Sequence, residues 1–200
     1  MMGVLEAPFP VYQYNRVDQD THEQFSKTWG HTQASLVLVG FSLGGFEALE
    51  IARQYPQLIH HVVTIGIGPG YSPIVLSRIR ALLNRGAEVY MEGFLKACFN
   101  KQDQYERFLS KKLPIHPKDI LQETLTYLGQ FHLRPEDLQV PFSWTACHGV
   151  EDSIMSFSIV EEWVRYASKC VVKLPCGHNP FFDPVSLHIL KDLLHKIPLE

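Results

Sequence analysis

The sequence predicts an α/β protein built on a mostly parallel sheet with helices on both faces. From Ala34 onward, short apolar runs alternate with segments of helical spacing, which is the pattern of a sheet whose parallel strands are joined by helical crossovers. The runs are also continuous rather than alternating, as strands covered on both faces require. With 46% hydrophobic and 20% charged residues over 200 positions, the chain has enough apolar material for one core. One domain, residues 1–200, is therefore expected.

The elements follow in order. Ser35-Leu-Val-Leu-Val39 is rich in β-branched residues and reads as a strand buried on both faces, and Phe46 to Tyr55 has helical spacing that stops at Pro56. Val62 to Gly66 reads as a second strand, closed by Gly68-Pro69-Gly70. From Ser72 to Leu138 the pattern changes to amphipathic helices at Ile74–Leu83, Glu88–Phe99, Gln104–Ser110 and Pro117–Gly129. This segment, about 72–138, is expected to be a helical cap on a core formed by residues 1–71 and 139–200. A strand returns at Pro141–Ala146, a helix at Ser158–Ala167, a short strand at Cys170–Leu174 and a last helix at Pro184–Ile197.

Bulk properties narrow the function classes. A net charge of −3 gives no reason to expect whole-surface binding to nucleic acid or an anionic membrane. No apolar run approaches the roughly 20 residues of a membrane helix, and Met1 to Pro10 has no basic n-region, so a cytoplasmic protein is expected. Cys98, Cys147, Cys170 and Cys176 have no metal-type spacing, which favours reduced thiols over a zinc site or disulfide framework. No nucleotide, flavin or metal motif is present, and no cofactor is expected.

Chemistry concentrates at three places. Gly40-Phe-Ser-Leu-Gly-Gly45 joins a buried strand to a helix, the context in which G-x-S-x-G marks a nucleophile elbow. There the serine takes a strained, positive φ, and side chains two positions away on either side would collide with backbone. Ser42 is thus the candidate nucleophile, and the backbone N–H of Leu43, at a helix N-terminus, a candidate oxyanion donor. A phosphate loop would need a Lys followed by Ser or Thr, absent here. A serine hydroxyl needs a base to take its proton and a third group to fix that base's tautomer. Cys147 to Asp152 follows the returning strand and supplies an acid. Asp152, aligned with Gly149 by the pattern Gly-x-x-Asp, is preferred to Glu151; the alternative is a turn carboxylate capping the next helix. Cys176-Gly-His178 follows the last strand and supplies the base, with His148 as its closest rival.

These motifs, in the chain order Ser42, Asp152, His178, resemble the α/β-hydrolase superfamily from about Pro8 onward. The elbow Ser42–Gly45, the stretch Leu133-Arg-Pro-Glu-Asp-Leu138 and Gly177-His-Asn-Pro-Phe181 are most similar to the pimeloyl-acyl carrier protein methyl ester esterases of biotin synthesis. The resemblance implies a serine carboxylesterase acting on a methyl-capped pimeloyl chain held by acyl carrier protein. It also implies acyl contacts from Leu43 and a cap phenylalanine, for which Phe94 is the candidate, and carrier docking through basic cap residues. Arg78, Arg80, Arg85 and Lys96 lie in that segment. Related carbon-carbon hydrolases, haloperoxidase-like esterases and menaquinone-pathway lyases share most of these signs, and a lyase or thioesterase using the same serine is the alternative within enzymes.

The sequence departs from the family upstream of the elbow. Only 41 residues precede Ser42, fewer than the family usually carries, and none forms the His-Gly loop that marks the second oxyanion amide. Pro10–Asn15 resembles the fold's fourth strand and Thr21–Trp29 the helix before the elbow strand, so the first three strands are expected to be absent. Pro10–Asn15 would then have to pair directly with Ser35–Val39, because buried unpaired amides cost roughly 1–3 kcal/mol each. A truncated, weakly active or non-catalytic remnant is the competing expectation, since losing one oxyanion donor costs about 10²–10³ in turnover.

Overall fold

A computed structural model describes residues 21–29, 35–111, 117–166 and 171–198. The chain runs through α1 (Thr21–Trp29), β1 (Leu36–Phe41), α2 (Leu43–Gln54), β2 (Ile59–Ile65), α3 (Pro73–Arg85), α4 (Ala87–Ala97), α5 (Gln102–Leu109) and α6 (Lys118–Leu128). It continues through β3 (Ser143–Gly149), α7 (Phe157–Arg165), β4 (Val171–Leu174) and α8 (Pro184–Lys196). All four strands are parallel and lie in the order β1-β2-β3-β4.

Strand alternation sorts the core into two layers. Val62, Trp144 and Ala146 face the cluster that holds Phe46, Leu49 and Ala52 of α2 and Val160, Trp163 and Val164 of α7. Val63, Ile65, Cys147 and Leu174 point the other way, into a cluster with Leu190 and Leu194 of α8. Helices therefore cover both faces. The helices between β2 and β3 keep a small core of their own, where Leu76, Leu83 and Leu125 pack with Tyr71, Tyr90 and Leu121.

Boundaries shift for local reasons. β2 begins at Ile59, ahead of the expected Val62, because polar His60 and His61 lie inside the ladder; His61 Nε2 is 2.9 Å from Thr145 Oγ1. β3 begins at Ser143, because Pro141 has no N–H to give a ladder. The double-sided burial expected of the first strand belongs instead to β2. Among the described residues β1 is the margin of the sheet, and Val39 is 40% exposed. The expected strand at Pro10–Asn15 lies outside the described residues. No helix among them is long and apolar enough to cross a membrane.

Candidate active site

The parallel ladder continues past the strand ends and carries three loops to one edge of the sheet. Ser42 N–H donates to the Ile65 carbonyl at 2.8 Å, and Gly66 N–H to that of Cys147 at 3.0 Å. Val150 N–H donates to the Leu174 carbonyl at 2.9 Å, and Glu151 N–H to that of Cys176 at 3.1 Å. The segments holding Ser42, Asp152 and His178 are thus fixed by backbone bonds to neighbouring strands.

Ser42 has φ 53° and ψ −124°, and it is the one non-glycine residue with positive φ among those described. Such a conformation costs on the order of 1–3 kcal/mol and persists only where its surroundings impose it. The glycines show how. A Cβ at Gly40 would sit 2.2 Å from the Gly44 carbonyl oxygen, and one at Gly45 would sit 2.5 Å from Ile67 Cγ2. Gly44 meets nothing within 4 Å, so the expectation that both second neighbours of the serine are sterically constrained holds for Gly40 only. On the helical side the constraint falls on Gly45, pressed against the segment that follows β2.

The structure brings the three sequence-derived residues together. His178 Nε2 is 3.1 Å from Ser42 Oγ, and His178 Nδ1 is 2.7 Å from Asp152 Oδ2. An ionised carboxylate only accepts, so the proton sits on Nδ1, Nε2 presents its lone pair, and the serine hydroxyl donates to it. His178 is buried, with the Phe41 ring tilted against it at 5.3 Å and Phe181 edge-on to Phe41 at 5.2 Å. On the other side, Gly66 (φ 69°) leaves space that a Cβ would fill at 3.1 Å from His178 Cε1.

Asp152 is also buried. Burial opposes its ionisation, but hydrogen bonds from His148 and His178, with the Met155 amide, outweigh it and hold the carboxyl well below the usual carboxylate range. Oδ1 accepts from the backbone amides of Ile154 at 2.8 Å and Met155 at 3.0 Å. Glu151, the alternative acid, points away and accepts from Asn100 Nδ2 at 3.0 Å. His148, the alternative base, does not reach Ser42; its Nε2 is 3.1 Å from Asp152 Oδ2. Sequence reasoning did not foresee that contact, nor the clearance at Gly66.

The helices between β2 and β3 hold the loops that carry Asp152 and His178. Ser153 Oγ donates to the Ala97 carbonyl at 2.8 Å, and Asn179 N–H to the Cys98 carbonyl at 2.9 Å. Asp183 caps α8 through the Ser186 amide at 2.8 Å and accepts from Gln104 Nε2 at 3.0 Å and Lys101 Nζ at 3.2 Å. Leu43 opens α2, so its amide has no acceptor within the helix. Phe94 is half-buried on α4, its ring stacked on Tyr90 at 6.2 Å. Arg78, Arg80 and Arg85 are exposed on α3 and Lys96 on α4.

A parallel sheet whose C-terminal edge gathers a strained serine, a buried carboxylate and a histidine, in the chain order serine, acid, histidine, has the layout of an α/β hydrolase. The family model described as alpha/beta hydrolase fold matches residues 30–143, more than half of the chain, and the chain belongs to that family. Among curated proteins it is similar to the pimeloyl-[acyl-carrier protein] methyl ester esterase of Aeromonas salmonicida (strain A449). The two are 28% identical over 185 residues, covering 80% of this chain and 72% of that protein. A protein of the same name from Aeromonas hydrophila subsp. hydrophila is 27% identical over 166 residues, covering 73% of this chain and 64% of that protein. The chain thus spans about two thirds to three quarters of the length of these relatives.

Solved structures are similar in fold. The enol-lactonase from Burkholderia xenovorans LB400 superposes with a TM-score of 0.71 at 18% identity, covering 88% of this chain and 72% of that one. A thermophilic esterase from Thermogutta terrifontis gives 0.68 at 19% identity, covering 86% and 69%.

Proposed function

We propose that this chain is a serine carboxylesterase, with Ser42 as nucleophile, His178 as general base and then acid, and Asp152 as the group that orients the imidazole. The observation that carries the proposal is the continuous hydrogen-bonded path from Ser42 Oγ through His178 to Asp152, set on a serine whose backbone is strained to expose its hydroxyl.

The chemistry follows from that path. Ser42 Oγ attacks the ester carbonyl while its proton passes to His178 Nε2, and Asp152 stabilises the imidazolium. The Leu43 amide donates to the oxyanion, a contribution of about 10²–10³ in turnover. Collapse breaks the bond to the alkoxy oxygen, which leaves as the alcohol with the proton from His178. Water then attacks the acyl-enzyme, His178 takes its proton, and the carboxylic acid is released as Ser42 regains its hydrogen.

The substrate that best fits is a methyl ester on an acyl chain carried by acyl carrier protein, pimeloyl in the relatives' names. Leu43 beside the nucleophile and Phe94 on α4 would line the acyl path. The outer surface of α3 supports the carrier reading: Ile74 is 66% and Leu82 48% exposed, and Arg78 falls between them on one helical stripe. With Arg80 and Arg85 exposed on the same helix, α3 offers apolar contact flanked by positive charge, which suits an acidic helical carrier.

The test compares turnover of a carrier-linked methyl ester, a short p-nitrophenyl ester and a thioester by wild-type protein, Ser42→Ala and the triple Arg78→Glu/Arg80→Glu/Arg85→Glu variant. The expected result is hydrolysis of both oxygen esters that vanishes in Ser42→Ala. In the triple variant only the carrier-linked reaction should slow. Equal turnover of the carrier-linked ester by wild type and triple variant would remove the docking surface, and turnover confined to the thioester would replace the esterase.

A further inference from the structure

His148 belongs to the site, although it touches neither the serine nor the reacting bond. It occupies the penultimate position of β3, on the same strand face as Trp144 and Ala146, and its ring has no solvent exposure. Its Nε2 lies 2.7 Å from the Met155 carbonyl oxygen, the better-aligned acceptor, and 3.1 Å from Asp152 Oδ2. Both neighbours are acceptors, so Nε2 carries a proton, which bonds the Met155 carbonyl and lies against Asp152 Oδ2. Nδ1 is buried with no hydrogen-bond partner among the described residues. An apolar ring of similar shape would avoid that penalty, so the N–H is the feature that sets histidine apart from phenylalanine here.

Resting on the esterase reading above, we propose that His148 is a positioning residue: its Nε2–H ties the Met155 carbonyl and Asp152 Oδ2 together and keeps the carboxylate aimed at His178. The acid loop is closed from both sides of the carboxyl. Oδ1 is fixed by the Ile154 and Met155 amides, and Oδ2 by the two imidazoles. Without His148, Oδ2 would keep a single donor, and the Met155 carbonyl would be left buried without that partner.

Other groups near the carboxylate do not compete. Tyr71, Cys98 and Cys176 all feel the Asp152 charge, yet burial pushes the Tyr71 hydroxyl up, the Cys98 thiol up to about 12 and the Cys176 thiol up to about 11. They stay neutral at ordinary assay pH, and among the described residues the side chains that reach the Asp152 oxygens are the two histidines. A change in the behaviour of Asp152 on altering His148 is therefore attributable to the lost N–H.

The experiment uses the full chain with His148→Phe, which keeps ring shape and removes the donor, and His148→Gln, whose side-chain amide restores an N–H near the same place. The readouts are kcat and KM for a short p-nitrophenyl ester across pH, the ¹³C titration of the Asp152 carboxyl, and the ¹H–¹⁵N imidazole spectrum of the wild type. In His148→Phe, kcat should fall about tenfold, the value of one hydrogen bond to a charged group, with KM unchanged. The acid limb of the profile and the Asp152 titration should both move to higher pH, and His148→Gln should recover most of each.

A proton on Nδ1 of His148, or a His148→Phe protein with wild-type kcat and Asp152 titration, would overturn the proposal. Should His148→Phe fail to fold, His148→Gln and the spectrum decide: recovery with an Nε2–H tautomer supports the role, and an Nδ1–H tautomer overturns it. If wild-type protein shows no Ser42-dependent turnover, the esterase reading falls by itself. The carboxyl titration and the tautomer then still judge the His148 contact.

Discussion

Replacing Gly66 with alanine should damage turnover far more than stability. The residue has φ 69°, and an L side chain in that region costs roughly 1–2 kcal/mol. Against this, Gly→Ala recovers about 0.4–1 kcal/mol by restricting the unfolded chain, so the net loss is about 1 kcal/mol. For a chain of this size that lowers Tm by about 2–4 °C. The new methyl carbon would lie 3.1 Å from His178 Cε1, 3.4 Å from Nδ1 and 3.5 Å from Phe41 Cε2, so either the imidazole or the backbone must give by a few tenths of an ångström.

The backbone is the stiffer of the two, because Gly66 N–H is tied to the Cys147 carbonyl at 3.0 Å. The ring therefore shifts relative to both Asp152 Oδ2 and Ser42 Oγ, and misplacement on this scale costs about 10–100-fold in kcat. Steady-state kinetics on a short p-nitrophenyl ester, paired with a thermal melt, separates the two effects. Gly44→Ala is the internal control, since its Cβ meets nothing within 4 Å and alanine suits a helical position; it should melt at or above the wild-type temperature and keep its kcat. A Gly66→Ala protein with wild-type kcat, or a Gly44→Ala protein as impaired as Gly66→Ala, would refute the reasoning.

Asp183→Ala removes the cap of α8, the Gln104 contact and the Lys101 pair at once. It should cost about 2–4 kcal/mol, combining a lost cap with a buried amide left without its acceptor. Burial opposes ionisation of Asp183, but the Ser186 amide and Lys101 outweigh it and hold the carboxyl below its ordinary range. Its stabilisation is therefore complete above the ordinary carboxylate range and is lost as pH falls through the lowered folded value. Urea titrations should show the gap between wild type and Asp183→Ala narrowing on acidification; a gap that widens would contradict this account.

What was legible in the sequence is what local pattern encodes. The strand-turn-helix around Ser42, the Gly-x-x-Asp turn and the histidine after the last strand each occupy a few consecutive residues, and their chain order assembled the candidate site. Choosing Asp152 over Glu151 was also local, because the turn decides which carboxylate faces inward; Glu151 instead meets Asn100. The clearances that were not foreseen are between segments far apart in the chain. Gly45 is held close by Ile67, and Gly66 by His178. Such clearances depend on how β1, β2 and the base loop superpose in space, and a glycine-rich stretch does not reveal which of its members is pressed.

His148 was set against His178 as a rival base, when the two imidazoles share one carboxylate. The signal lay in strand alternation, which puts position 148 on the same face as Trp144 and Ala146, four residues before the acid. The margin position of β1 was hidden for a different reason: a continuous apolar run is written the same way whether or not the outer face is covered.

The most direct test is the site and rate of labelling by a fluorophosphonate, in which the attacking oxygen displaces fluoride from phosphorus. Peptide mapping of the full-length protein should find the adduct on Ser42, and His178→Ala should slow its formation by about 10² or more, as loss of the general base requires. An adduct on another residue, or one that forms on Ser42 equally fast without the imidazole, would contradict the claim that His178 takes the proton from this serine.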